Sequence, residues 1–133
     1  MKPNFDWLLK QRLSQVEKKD FTWIFSFEAG GSVNTQSMWR LVTPSGIFVT
    51  SEDHEQLFGL PAPVDAGKRV MDTIQNKRIS SYSCERPCSD LMISFEGGAQ
   101  IQFLSTSCGY ESWEMWNGTT QIICTGGGEL AEF

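Results

Sequence analysis

Two hydrophobic periods alternate along this chain. Over residues 3–19 the apolar positions Phe5, Leu8, Leu9, Leu13 and Val16 recur at helical spacing, while Lys10, Glu17 and Lys18 turn away. That stripe predicts an amphipathic N-terminal helix. Trp7 lies almost opposite it, which leaves the indole either in solvent or beneath a neighbouring element. From Phe21 the period becomes two. Phe21, Trp23, Phe25 and Phe27 alternate with Thr22, Ile24, Ser26 and Glu28, as expected of a strand with one aromatic core face. A second strand over residues 37–43 places Trp39 and Leu41 on one face, and Pro44-Ser45-Gly46 turns the chain into a third at residues 47–50.

Residues 51–63 lose the period and turn acidic, with Glu52, Asp53 and Glu55 ahead of Gly59 and two prolines. Pro63 suits the first turn of a second helix, whose buried side would carry Val64, Gly67, Val70, Met71 and Ile74. The rest reads as a meander. Strands are expected at residues 79–84, through Leu91, Ile93 and Phe95, through Ile101 and Phe103, and at residues 110–116 and 120–125. Gly97-Gly98 and Asn117-Gly118 mark tight turns. The class read from this is α+β. An antiparallel sheet of about six to seven strands, open or partly closed, is covered by an N-terminal helix and a second helix.

Composition narrows the picture. At 133 residues the chain suits one domain with one core. Sixteen acidic against eleven basic side chains give a net charge of −5, which opposes direct nucleic-acid binding and favours basic partners. The start Met1-Lys2-Pro3-Asn4-Phe5-Asp6 lacks the basic and apolar regions of a secretion signal. No run approaches the roughly 20 apolar residues of a membrane span. A cytoplasmic location without membrane association is the expectation. Cys84, Cys88, Cys108 and Cys124 then read as thiols. Only Cys84 and Cys88 are close in sequence, so zinc or a Cys84–Cys88 disulfide are lesser alternatives.

Catalytic motifs are not found. The one histidine, His54, sits in the acidic loop, and Gly126-Gly127-Gly128 opens no phosphate-binding helix. Asn117-Gly118-Thr119 is explained by its turn. Strand alternation puts Tyr110, Ser112, Glu114 and Trp116 on one face and Glu111, Trp113 and Met115 on the other. That separates the two glutamates as an acid/base pair. The chain is expected to be no enzyme and to need no cofactor or metal.

Three features suit protein recognition. They are the carboxylates Glu52, Asp53 and Glu55, the face bearing Tyr110, Glu114 and Trp116, and the off-stripe Trp7. The strand Tyr110-Glu111-Ser112-Trp113-Glu114, the Asn117-Gly118 turn, Ile122-Ile123 and the terminal Gly126-Gly127-Gly128-Glu129-Leu130-Ala131, together with Trp39-Arg40-Leu41, resemble a group of small bacterial β-rich proteins. Some of that group look like immunity proteins of polymorphic or contact-dependent toxin systems. The resemblance implies a binding protein that neutralises a cognate basic toxin, such as a nuclease or another enzyme acting on nucleic acid or nucleotides, by occluding its active site or substrate cleft. Two other readings stay open at this point: a small-ligand or regulatory domain with a pocket between sheet and helix, and an enzyme pairing Cys84, Cys88 or Cys108 with His54.

Overall fold

A computed structural model describes residues 3–133; Met1 and Lys2 of the N-terminal reading lie outside it. Among the described residues eleven strands form two antiparallel sheets. The first holds β1 (Leu13–Lys19), β2 (Thr22–Phe27), β3 (Ser32–Thr35), β9 (Trp113–Trp116), β10 (Gln121–Cys124) and β11 (Leu130–Glu132), in that spatial order. The second runs β5 (Gly46–Thr50), β4 (Trp39–Thr43), β8 (Gln100–Phe103), β7 (Asp90–Phe95) and β6 (Ile79–Glu85). Among the described residues the only α-helix is α1 (Ala66–Ile74).

This overturns the α+β expectation of one sheet covered by two helices. The sheet is covered by a second sheet, and a mostly-β sandwich results. Inner faces meet through Trp23 on Trp39 (5.0 Å between ring centroids), Phe25 on Trp39 (5.1 Å) and Phe25 on Phe103 (4.8 Å), all edge to face. Such aromatic pairs add to the transfer energy of their buried area. One cluster of buried side chains runs through both sheets, with Phe25, Val33, Trp39, Leu41, Leu91 and Trp113 at its centre.

The N-terminal helix does not form, for a physical reason. Leu, Gln, Glu and Lys favour helices intrinsically, but pairing with a neighbour overrides that preference. Phe5 and Leu8 do reach the core, through a single 3-10 turn at Asp6–Leu8. Lys10 then takes a positive φ of 69°, which no helix tolerates. Residues 13–19 pair antiparallel with β2 instead, with a bulge between Leu13 and Gln15. As an edge strand β1 keeps Glu17, Lys18 and Lys19 on a rim, a usual guard against edge-to-edge association, and its charge pattern imitates a helix face. Trp7 is not a free aromatic, because it packs edge to face on Phe27 at 5.7 Å. Phe21 leaves the aromatic face and lies 80% exposed in the β1–β2 turn.

Helix α1 starts at Asp65, whose carboxylate accepts from the Lys68 amide (3.0 Å). It contacts β1 of one sheet and β5 of the other and so closes one open side of the sandwich. Gly67 permits this: a β-carbon there would stand 2.8 Å from the Val16 carbonyl oxygen. The space between helix and sheets is filled by Val70 and Ile74, both buried. No helix among the described residues is long and apolar enough to cross a membrane.

Candidate functional site

The outer face of the first sheet is read off its register. Ile24, Asn34, Glu114 and Ile123 form one row across β2, β3, β9 and β10, and Ser26, Ser32, Trp116 and Gln121 form the next. Glu114 is fixed at the centre by both neighbours. Its Oε1 accepts from Asn34 Nδ2 and its Oε2 from Gln121 Nε2, each at 3.2 Å. Asn34 keeps its own Oδ1 buried without a partner, an arrangement that costs free energy until a donor reaches it.

At one end of this face the loop over residues 104–112 leaves β8 and returns as β9. It is fastened along its length. Leu104 N donates to Met38 O (3.1 Å), Thr106 Oγ1 to Ser37 Oγ (3.2 Å), and Thr35 Oγ1 to Ser112 O (2.7 Å). Ser107 Oγ accepts from the amides of Gly109 and Tyr110. The triple glycine closes behind it. Gly127 N donates to Ser107 O (2.9 Å), and a β-carbon on Gly126 would stand 2.6 Å from Cys108 O. Glycine is required there by close backbone approach. On this scaffold Tyr110 is 82% exposed.

The result is a groove in two parts. A wide part of about 930 Å³ is lined by Glu52, Met38, Tyr110 and Glu111 among others. A narrower part of about 200 Å³ adjoins it, lined by Thr22, Asn34, Glu111 and Glu114. Gln36 and Glu111 belong to both. Glu52, Glu111 and Glu114 supply three carboxylates, and among the described residues neither lining contains a lysine or arginine. Carboxylates and hydroxyls make the groove rich in acceptors, which suits lysine and arginine donors.

Of the residues singled out in the sequence, Glu52, Tyr110 and Glu114 come together here, and Trp116, 45% exposed, stands two residues beyond Glu114 on the same face. Asp53 has a local duty: Oδ2 accepts from Thr50 N (2.9 Å), while Thr50 Oγ1 accepts from Glu52 N (3.0 Å), capping the 3-10 turn Ser51–Asp53. Glu55 is exposed beyond it, its carboxylate 3.9 Å from His54 Nε2. Trp7 is packed on Phe27, away from the groove lining. Glu111 joins Glu114 in one lining despite strand alternation, because β9 begins only at Trp113 and the rule does not reach back to residue 111.

His54 is occupied structurally. Nδ1 accepts from Ala66 N (3.1 Å) at the start of α1, and the ring stands edge-on to Trp23 at 4.9 Å. The four cysteines are free. Cys84 points to Ser89 O (3.7 Å), and burial pushes its thiol up to about 12, assisted by Cys124 and by Glu85 and Asp90. Among the described residues no three His, Cys, Asp or Glu side chains cluster to hold a metal ion. No family model, curated protein or solved structure matches the chain.

Proposed function

We propose that this chain is an immunity-type binding protein that captures a basic protein partner, a toxin, along the acidic groove and so covers the partner's working surface. The observation that carries the reading is the groove itself, lined by Glu52, Glu111 and Glu114 with no lysine or arginine among the described residues. Like charges lining one groove raise the local potential, attract a cationic surface and accelerate encounter. Tyr110 offers a rigid amphipathic side chain of the kind that anchors interfaces. Its loop is fastened before binding, so little ordering entropy is lost on docking. That the partner is a toxin acting on nucleic acid or nucleotides follows from the sequence resemblance. A basic cleft built for phosphates is the surface that an acidic groove complements. Nanomolar capture corresponds to about −12 kcal/mol, and a standard-size interface buries roughly 800 Å² on each side.

The test is co-expression with the product of the neighbouring reading frame, followed by association kinetics of the purified pair. The double variant Glu52→Lys with Glu111→Lys is expected to slow association by about tenfold or more at low salt and to flatten its salt dependence. Unchanged rates and salt slope refute the groove as the docking site.

A further inference from the structure

The segment following Glu52 carries a second feature, which rests on the reading above because it springs from the wall of the groove. Residues 55–63 are nine consecutive exposed positions, and from residue 57 to residue 63 none is charged. Leu57, Phe58 and Leu60 are 54%, 67% and 43% exposed, beside Pro61 and Pro63. A loop that merely connects β5 to α1 has no reason to hold three large apolar side chains in water.

Its base is rigid. Glu55 N donates to Val64 O (2.8 Å) and Val64 N to Gln56 O (2.9 Å), with Val64 buried. The turn Ser51–Asp53 braces one leg, and His54 on Ala66 N ties it to the other. At the tip Leu60 N donates to Leu57 O (2.8 Å) around Phe58 (φ 47°) and Gly59 (φ 75°). Positive φ at both central positions is the geometry that asparagine or glycine ordinarily serves; a bulky residue there is a conformational outlier. Phe58 therefore stands in a position that stability alone would give to another residue.

We propose that residues 57–63 form a preformed apolar anchor that inserts into a cleft of the partner protein, apolar at its floor and rimmed by lysine or arginine. Charge decides among possible occupants. Around the anchor's base stand Glu52, Asp53, Glu55 and Asp65, against Lys68 and Arg69, and Lys68 is already paired with Asp72 at 2.8 Å. An anionic lipid surface repels that ring. A second copy docked about a two-fold axis would set the same carboxylates against one another. A basic rim matches them. Groove and anchor together then span a wider contact than the groove mouth.

The test is photo-crosslinking in the native host, with p-benzoylphenylalanine in place of Phe58 and, as control, in place of Leu9, which lines a surface with Ile79 of β6 at the opposite edge of that sheet from β5. The expected result is a crosslink from position 58 alone, to a basic protein, at a peptide lining an apolar cleft. With that protein purified, the triple variant Leu57→Ser, Phe58→Ser, Leu60→Ser is expected to lose about 30-fold or more in affinity, with Tm unchanged, and Leu9→Ser to lose none. Crosslinks from both positions, or from neither, overturn the proposal. So does binding of the chain to phosphatidylcholine–phosphatidylglycerol vesicles, or a dimer in sedimentation, that the triple variant abolishes. If Glu52→Lys with Glu111→Lys weakens the complex and the triple variant does not, the anchor fails while the acidic groove stands. If neither weakens it, both fail.

Discussion

The groove's outer wall depends on one contact that a single methyl group can break. Gly126 passes so close to the loop bearing Tyr110 that a β-carbon would stand 2.6 Å from Cys108 O and 2.7 Å from both Cα and C of Gly109. All three are backbone atoms, so no side chain can swing aside, and the loop or the β10–β11 connection must move. Gly126 has no positive φ, so crowding is the only conformational cost of an alanine there. Overpacking of this sort costs about 1–3 kcal/mol, and with three main-chain overlaps we expect Gly126→Ala to fall near the upper end. At roughly 4 °C per kcal/mol for a chain of this size, Tm drops by about 8–12 °C. The matched control is Gly109→Ala on the same loop, where a β-carbon meets nothing within 4 Å; its effect should stay within about 0.5 kcal/mol. Urea titrations of both variants decide the matter, provided the m-value is unchanged. If the two alanines prove equal in midpoint, the glycine does not wedge the loop, and the account of how the groove wall is fixed is wrong.

Other expectations are independent of that contact. Alkylation near pH 8 should modify Cys88 and Cys108, both exposed, well before Cys84. A thiol moved from 9.0 to about 12 has about a thousandfold less thiolate at that pH; equal labelling of Cys84 sinks the argument. Because the folded state holds that proton more tightly, its contribution to stability is complete below about pH 9 and is lost as pH climbs toward 12. Urea midpoints should therefore fall over that window, and fall less in Cys84→Ser. Asp53→Ala should cost about 1 kcal/mol through the lost cap, whereas exposed Glu55→Ala should change stability by less than about 0.5 kcal/mol; equal effects would deny the cap. Phe58→Asn should leave stability unchanged or raise it by up to about 1 kcal/mol, since asparagine tolerates the positive φ, while partner affinity falls. A marked loss of stability would mean that the phenylalanine packs.

Much of the inner architecture is legible as alternation. Trp23, Phe25 and Phe27, then Trp39 and Leu41, then Leu91, Ile93 and Phe95, lie in strands with their apolar positions buried. Legibility ends where pairing, not pattern, decides the conformation. β1 carries the helix-favouring residues of a charged edge strand. β3 has only Val33 and Thr35 buried in four residues, and β11 is three residues long, too short for a period to show. The site was half visible. Glu52 and Tyr110 stand out as charge and aromatic in polar stretches, but Glu111 is misplaced by alternation extended past the start of its strand. Leu57, Phe58 and Leu60 have no period at all; their signal is an uncharged apolar run broken by Gly59 and followed by Pro61 and Pro63, where a solvated loop is expected.

The order of strands also dictates when the molecule can become itself. The second sheet is drawn wholly from residues 39–103, whereas the first joins β3 to β9 across most of the chain's length. Such remote pairings form late, because a long loop must close before any contact rewards it. On a ribosome the middle sheet can emerge and settle with Trp23 and Phe25 of β2 already at hand, while the half of its cover that begins with β9 is still missing. The acidic groove lies across that last seam, with Thr22, Asn34 and Gln36 supplied early and Glu111 and Glu114 late. The acidic groove is thus incomplete until the strand that carries Glu114 has paired with β3.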